Sequence, residues 1–159
     1  TTVHAYTGDQ PTQDTVHKDL YRARAAALSM IPTSTGAANA IGRVLPELKG
    51  KLHGSSIRVP TPNVSVIDLA VSTSREVSID EVNDAIRQTA AGAMSGVLAF
   101  TTEPLVSVDL NHRTESSIVA LPQTDVVDGR MVRVLAWYDN EWSFATRMAD
   151  TAVAMAKLI

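Results

Sequence analysis

The sequence predicts an α+β fold: a mostly antiparallel or mixed sheet with helices on one face and a further helix at the C-terminus. Short β-rich stretches joined by turn residues predict the sheet, and separate segments with apolar residues at helical spacing predict the helices. The composition, 45% hydrophobic and 19% charged over 159 residues, is that of a globular domain. A chain of this length can bury a substantial core without disulfides.

The first third of the chain predicts a strand, a long loop and a helix. Residues 1–6 alternate in polarity and are rich in β-formers, which predicts a strand. Residues 7–34 are polar, and only residues 19–30 favour a short helical turn; a loop this long tends to be functional. Residues 36–45 then predict a helix that Pro46 ends.

The remaining strands are predicted from β-rich stretches and one turn. These stretches are residues 56–60, 64–72, 96–100, 106–110 and 117–121. Around Ile67 the apolar alternation slips, which permits a bulge. Asp128-Gly129 predicts the turn of a hairpin whose return strand covers residues 130–138.

Two more helices are predicted in the second half. Ser78, with Glu81 three residues later, forms a capping box before a segment of helical periodicity that ends at Gly92. Residues 141–159 predict a final helix with an apolar stripe. An apolar stripe of this kind favours association with a partner.

Composition excludes several classes of function. The net charge of −3 argues against a protein that binds nucleic acid, which needs a basic surface. The absence of cysteine excludes disulfides, thiolate metal sites and a cysteine nucleophile within this chain. No apolar run approaches the roughly 20 residues of a membrane span, and the histidines show no metal-ligand spacing. We therefore expect no nucleic acid, no membrane and no metal as partners.

The N-terminus predicts that the chain is cut inside a longer sequence. The first residue is not methionine, and Thr1-Thr2-Val3 already has the character of a strand. The chain begins without a charged segment followed by an apolar one, so the sequence predicts no signal peptide.

Three stretches contain candidate functional residues, each with a plainer alternative. His4 lies in a predicted strand beside Tyr6, where a structural histidine is the commoner case. Hydroxyl, guanidinium and backbone N–H groups suited to phosphate occur at Thr7, Thr35, Gly36 and Arg58, although Thr35-Gly36 also suits an ordinary helix cap.

The third stretch, residues 137–142, contains Asn140 between two tryptophans. An asparagine side chain can both donate to and accept from a carboxamide. Simple packing of the aromatic rings is the equally good alternative.

The three stretches occur in this order along the chain: Thr1-Thr2-Val3-His4-Ala5-Tyr6-Thr7, Pro32-Thr33-Ser34-Thr35-Gly36-Ala37-Ala38 and Trp137-Tyr138-Asp139-Asn140-Glu141-Trp142. Together they resemble the catalytic half of phosphorylating glyceraldehyde-3-phosphate dehydrogenases. The resemblance spans essentially all of residues 1–159. It implies an NAD(P)-dependent oxidoreductase that converts glyceraldehyde 3-phosphate and inorganic phosphate to 1,3-bisphosphoglycerate.

The resemblance also implies roles for individual residues. His4 would activate a nucleophilic cysteine upstream of this chain and handle the proton of the hemithioacetal. Thr7 and Arg58 would hold the phosphate of the substrate. Thr35 and Gly36, with Arg22 in support, would hold the inorganic phosphate.

For the cofactor, the resemblance implies contacts from Asn140 to the nicotinamide carboxamide and from Phe144 near the nicotinamide ring. The family usually has tyrosine at the position of Phe144 and glycine at that of Ser143, so a contact through the tyrosine hydroxyl is lost here. The cofactor is NAD or NADP, because Thr15-Val16 matches neither of the common patterns.

The same resemblance implies a domain division and partners. Residues 1–139 would form the catalytic domain, beginning downstream of the nucleophilic cysteine, and residues 140–159 a helix that packs on a cofactor domain. We expect a cytoplasmic homo-oligomer, a tetramer in the family and at least a dimer here. Without its cysteine and cofactor domain, the chain alone is expected to be inactive. The alternatives are a relative acting on erythrose 4-phosphate and a non-catalytic assembly or binding module.

Overall fold

The computed structural model describes residues 1–37 and 40–159 in full, and residues 38 and 39 only as part of a helix. The chain forms two compact units, Thr1–Pro62 and Asn63–Ile159. Both combine strands with helical segments, which confirms the α+β class. The predicted division between residues 139 and 140 stays a prediction.

Unit 1, Thr1–Pro62, contains three short strands in the order β2-β3-β1. They are β1 Thr2–Ala5, β2 Ile31–Thr33 and β3 Ser56–Val59. β1 runs parallel to β3, and β2 runs antiparallel to it. Strand β2 was not predicted: it has three residues, one of them Pro32, and is too short to show an alternation.

The long loop of unit 1 is ordered by its own hydrogen bonds. It contains two 3₁₀ turns, Leu20–Ala23 and Ala26–Leu28, so the predicted helical turn within residues 19–30 is confirmed in two pieces. The Ala25 N–H donates to Asp14 Oδ1 over 2.8 Å, and the Ala26 N–H donates to the Pro11 carbonyl over 2.9 Å. Ala25 and Ala26 are buried, so the loop contributes to the core of this unit.

The helix of unit 1 confirms the prediction for residues 36–45. Helix α1 covers Ala37–Val44, and Pro46 then begins a 3₁₀ turn, Pro46–Leu48. Proline is favoured at the first position of a helix and breaks the interior of one, so Pro46 both ends α1 and begins the turn.

Unit 2, Asn63–Ile159, contains the other strands in the order β4-β8-β6-β5, with β7 also paired to β8. These elements are β4 Ser65–Ser72, α2 Ile79–Ala91, β5 Leu98–Thr101, β6 Ser117–Ala120, β7 Asp125–Val127, β8 Met131–Tyr138 and α3 Trp142–Ala156. β8 is antiparallel to β4, β6 and β7, whereas β5 and β6 are parallel. The strand pattern is therefore mixed and mostly antiparallel, as predicted.

The bulge that the sequence permits near Ile67 is not present. Strand β4 pairs with β8 without interruption from Ser65 opposite Tyr138 to Ser72 opposite Met131. The alternation slips because both faces of this strand carry apolar residues. The irregular residue comes just before the strand: Val64 has φ 63° and its side chain is buried against Leu110 and Ile118.

The predicted strand over residues 106–110 is wrong. Residues Ser107–Leu110 form a 3₁₀ turn, which the Asp109 carboxylate stabilises by accepting the Val106 N–H over 2.9 Å. Leu110, 1% exposed, anchors the turn in the hydrophobic core. A short-range carboxylate contact and one buried side chain outweigh the β-propensity of the valines here.

The capping box and the hairpin are confirmed. Ser78 Oγ accepts the Glu81 N–H over 3.1 Å, and the Glu81 carboxylate accepts the Ser78 N–H over 2.8 Å. The hairpin turn has φ 49° at Asp128 and 66° at Gly129, the two positive values that a type I′ turn requires. No helix in the described part of the chain is long and apolar enough to cross a membrane.

Candidate functional site

The parallel pairing of β1 with β3 brings His4 and Arg58 together. The two residues are direct partners in the register, so their side chains leave the same face of the strands. Arg58 Nη1 lies 3.1 Å from His4 Nδ1, although the two residues are 54 positions apart. The unit therefore builds a histidine–arginine pair from two short strands.

The Ala5 carbonyl determines how this pair is arranged. It accepts from His4 Nδ1 over 2.6 Å and from Arg58 Nη1 over 3.3 Å. A carbonyl only accepts, so the 2.6 Å contact assigns the ring proton to Nδ1; Arg58 Nη1 then donates to the Ala5 carbonyl, and its 3.1 Å approach to Nδ1 is a close contact between two donors and not a hydrogen bond. The neutral imidazole then has its basic lone pair on Nε2, the nitrogen suited to proton transfer.

Thr7 completes the cluster. It follows the end of β1, and its Oγ1 lies 3.4 Å from Arg58 Nη1. Arg58 Nε is buried and, within the described part of the chain, has no hydrogen-bond partner. A guanidinium with a spare N–H beside a threonine hydroxyl is a donor set suited to a phosphate oxygen. The structure thus brings together the predicted residues His4, Thr7 and Arg58.

Arg22 lies in a different environment. Its guanidinium donates to Asp9 Oδ2 over 3.0 Å and its Nε lies 3.4 Å from Asp19 Oδ2. Among the described residues no hydrogen bond joins it to Thr35 or Gly36. Two carboxylates already contact its guanidinium. The predicted role of Arg22 in holding inorganic phosphate stays a prediction.

Thr35 and Gly36 lie at the start of helix α1. Thr35 Oγ1 accepts the Ala37 N–H over 3.2 Å, and Gly36 is the exposed cap residue. Strand β2 ends at Thr33 opposite Ser56, which is also the partner of Thr2 at the start of β1. Thr35 therefore lies beyond the edge of the strands at which β1 begins, and Thr7 lies beyond the edge at which β1 ends.

In unit 2, Asn140 follows strand β8 and is held by Ser65. The Ser65 hydroxyl donates to Asn140 Oδ1 over 2.6 Å. Asn140 Nδ2 is buried and has no hydrogen-bond partner within the part of unit 2 that the structure describes. The side chain therefore has its acceptor occupied and one N–H₂ group left to donate.

The neighbouring carboxylate, Asp139, fixes the backbone around Asn140. Its Oδ2 accepts from Asn63 Nδ2 over 2.8 Å and from the His112 N–H over 3.0 Å. Its Oδ1 accepts the Trp142 N–H over 2.9 Å, at the start of helix α3. Burial alone raises the pKa of Asp139, but these hydrogen bonds outweigh it and hold the pKa below its usual value.

Phe144, the other predicted cofactor residue, lies in the first turn of α3 and is 65% exposed. Close to the same helix start, the rings of His112 and Trp142 stack with centroids 4.5 Å apart. An exposed flat ring is compatible with the predicted contact to a nicotinamide ring, which stays a prediction.

Sequence reasoning missed the residues that support the predicted ones. Ser65 holds the side chain of Asn140 directly, and Asn63 holds the neighbouring Asp139, both through contacts between distant parts of the chain. A serine or asparagine at the start of a strand is common and has no distinctive spacing. Only the adjacency of Asp139 to Asn140, before a helix, was a usable signal, because aspartate there is typical of a helix cap.

Comparison with known proteins gives a consistent result. The family model described as "Glyceraldehyde 3-phosphate dehydrogenase, C-terminal domain" matches residues 1–140. The chain is 67% identical over 159 residues, all of its length, to the glyceraldehyde-3-phosphate dehydrogenase of Cereibacter sphaeroides, of which it covers 48%. It is 66% identical over 158 residues, 99% of its length, to that of Xanthobacter flavus, of which it covers 47%.

A more distant relative matches over nearly the same range. The chain is 55% identical over 156 residues, 98% of its length, to the glyceraldehyde-3-phosphate dehydrogenase of Geobacillus stearothermophilus, of which it covers 47%. The chain thus spans about half the length of the curated relatives it matches.

Proposed function

The chain belongs to the glyceraldehyde 3-phosphate dehydrogenase family, as its C-terminal domain, and on that premise we propose that it is the catalytic half of a phosphorylating dehydrogenase. The parent enzyme oxidises glyceraldehyde 3-phosphate with NAD or NADP and transfers the acyl group to inorganic phosphate. The observation that carries this proposal is the cluster of His4, Thr7 and Arg58.

His4 handles the proton in this proposal. A cysteine thiolate, supplied by the parent enzyme outside this chain, attacks the aldehyde carbon and forms a hemithioacetal. The imidazole Nε2 accepts the proton of the hemithioacetal hydroxyl as the carbon is oxidised, while Nδ1–H remains bonded to the Ala5 carbonyl. That bond fixes both the orientation and the tautomer of the ring. Phosphate then attacks the thioester, and the thiolate leaves.

Two phosphate subsites are proposed. Thr7 and Arg58 bind the substrate phosphate, supported by the buried Arg58 Nε that has no partner among the described residues. Thr35 and Gly36, assisted by Arg22, bind inorganic phosphate at the start of α1. Thr7 and Thr35 lie at opposite ends of the paired strands, which supports two separate anion sites.

For the cofactor, the fit rests on the side chain of Asn140. Its buried Nδ2 lacks a partner within the described residues, and a carboxamide oxygen is the kind of acceptor that would satisfy it. We propose that Asn140 donates to the nicotinamide carboxamide and that Phe144 lies near the ring. The nicotinamide, when bound, supplies the hydride acceptor.

Removing the Ser65 hydroxyl is expected to weaken cofactor binding. In Ser65→Ala, Asn140 Oδ1 loses its 2.6 Å donor and the amide is free to turn, so the dissociation constant of NAD should rise roughly 2- to 12-fold. Calorimetric titration of the full-length parent enzyme measures this without turnover. Ser72→Ala, at the exposed end of the same strand, is the control. Equal affinity in Ser65→Ala and wild type would show that Ser65 does not position Asn140.

The choice of substrate separates this proposal from its alternatives. The relatives named above are all glyceraldehyde-3-phosphate dehydrogenases, which favours glyceraldehyde 3-phosphate over erythrose 4-phosphate and over a non-catalytic module. Steady-state reduction of NAD by the full-length parent enzyme with each sugar phosphate tests this. A higher kcat/KM for erythrose 4-phosphate would reassign the substrate, and activity with neither would favour the non-catalytic alternative.

We also propose that the protein is a homo-oligomer. Strand β4 exposes Ile67 and Leu69 on one face, 40% and 39% accessible, and helix α3 exposes Met148, Val153 and Met155. Apolar surface of this extent favours association. Light scattering of the full-length protein should give the mass of a dimer or a larger assembly, and the mass of a monomer at micromolar concentration would contradict the proposal.

A further inference from the structure

The turn that contains Thr7 is closed by Gln10 at both ends. The Gln10 N–H donates to the Thr7 carbonyl over 2.9 Å, and the Thr7 N–H donates to Gln10 Oε1 over 2.9 Å. Gln10 is 5% exposed, so both bonds are shielded from water. The backbone of Thr7 is thus held from its donor and its acceptor side by one residue.

The Thr7 hydroxyl is held less firmly than the backbone. Its proton is directed to Gln10 Oε1 over 3.4 Å, and its oxygen accepts from Arg58 Nη1 and from the Asp9 N–H, each over 3.4 Å. Contacts of this length are weak compared with the 2.9 Å backbone bonds. A phosphate oxygen can therefore accept a hydrogen bond from the Thr7 hydroxyl while Gln10 keeps the Thr7 backbone in place.

The other end of the Gln10 amide indicates why a glutamine is suited to this position. Nε2 is buried and has no hydrogen-bond partner among the residues described. Gln10 itself lines a cavity of about 450 Å³ together with Tyr6, Thr7, Gly8 and Thr12. A buried donor without a partner lowers stability, and an apolar side chain would avoid that penalty. The compensating gain must come from the oxygen end of the amide, which binds Thr7.

We infer that Gln10 is a positioning residue for substrate phosphate, acting through Thr7. It does not touch the phosphate in this account: it fixes the backbone from which the Thr7 hydroxyl reaches the anion next to Arg58. This inference rests on the proposed role of Thr7 and Arg58 in holding the phosphate of the substrate.

Gln10→Met in the full-length parent enzyme tests the inference, because methionine has a similar length and no acceptor for the Thr7 N–H. The KM for glyceraldehyde 3-phosphate should rise roughly 2- to 12-fold with little change in kcat. Oxidation of unphosphorylated glyceraldehyde should be unchanged, since that substrate makes no phosphate contact. Gln10→Asn keeps the amide but is one methylene shorter, and it should show the same changes as Gln10→Met. It replaces Gln10→Met as the test variant if Gln10→Met does not fold.

Gln13→Met is the matched control, because Gln13 is an exposed glutamine on the same loop and should leave both substrates unaffected. An equal loss with both substrates would assign Gln10 a purely structural role and overturn the inference. No loss with either substrate in the folded variants would overturn it as well.

Calorimetric titration with glycerol 3-phosphate separates this inference from the proposed reaction. Weaker binding in Gln10→Met than in wild type supports the inference even if the wild-type enzyme does not oxidise glyceraldehyde 3-phosphate. Equal binding in both proteins overturns the inference and leaves the proposed reaction intact. A wild-type protein that binds no phosphate ester would overturn both.

Discussion

Replacing His4 by asparagine is expected to lower the kcat of the full-length parent enzyme by roughly 10²- to 10⁴-fold, the range for loss of a general acid–base group. Asparagine can still donate to the Ala5 carbonyl, which His4 Nδ1 approaches to 2.6 Å in the native chain. The variant therefore keeps the local bond and loses the group that accepts and returns a proton. Steady-state formation of NADH at saturating substrate measures the change.

The matched control for this experiment is His53→Asn. His53 is an exposed histidine of the same unit, and its replacement should leave kcat within a factor of about two, as is usual for surface substitutions. A His4→Asn enzyme that retains more than a tenth of the wild-type kcat would contradict the role given to His4.

Arg58→Ala is expected to lower kcat/KM for glyceraldehyde 3-phosphate by roughly 10- to 150-fold. A hydrogen bond to a charged group contributes about 1.5–3 kcal/mol, and the guanidinium is the charged donor beside Thr7 Oγ1. Arg58→Lys keeps the charge but not the planar fork, so its loss should be intermediate. Steady-state kinetics over a range of substrate concentrations give the values.

Two comparisons make the Arg58 result specific. Unphosphorylated glyceraldehyde should lose much less than glyceraldehyde 3-phosphate, because the lost contact is to the phosphate. Arg43→Ala, an exposed arginine at the end of helix α1, should match wild type with both substrates. Equal losses with the two substrates would mean that Arg58 acts only through His4 and the Ala5 carbonyl.

Local chemistry made much of the fold predictable. The capping box of Ser78 and Glu81 and the Asp128-Gly129 turn involve residues within four positions of each other, so the sequence alone contains the whole interaction. The same holds for the helix that ends before Pro46. These elements formed where they were predicted because nothing distant competes with them.

The misplaced elements depend on tertiary contacts. The valine-rich segment over residues 106–110 has the β-propensity of a strand, yet burial of Leu110 and the Asp109 carboxylate select a 3₁₀ turn. Strand β2 has no pattern of its own and exists because Ile31 and Thr33 pair with β3. In both cases the deciding partner is not visible in a local window of sequence.

The candidate site was predictable as a set of residues but not as a geometry. The resemblance to a known family identified His4, Thr7 and Arg58 as candidates. Their convergence, by contrast, depends on the register of β1 with β3. The supporting residues Gln10 and Ser65 could not be found in this way, because a buried glutamine oxygen or a serine hydroxyl is informative only once its partner is known.

The most direct test of the account is a rapid-mixing measurement of NADH formation with and without inorganic phosphate. The full-length parent enzyme is mixed with NAD and glyceraldehyde 3-phosphate. Without phosphate, we predict a burst of about one NADH per active site and then near arrest, because the thioester has no efficient acceptor. Addition of phosphate should start steady turnover. Steady turnover that does not depend on phosphate would contradict a phosphorylating dehydrogenase, and the absence of any burst would contradict the covalent step that His4 is proposed to assist.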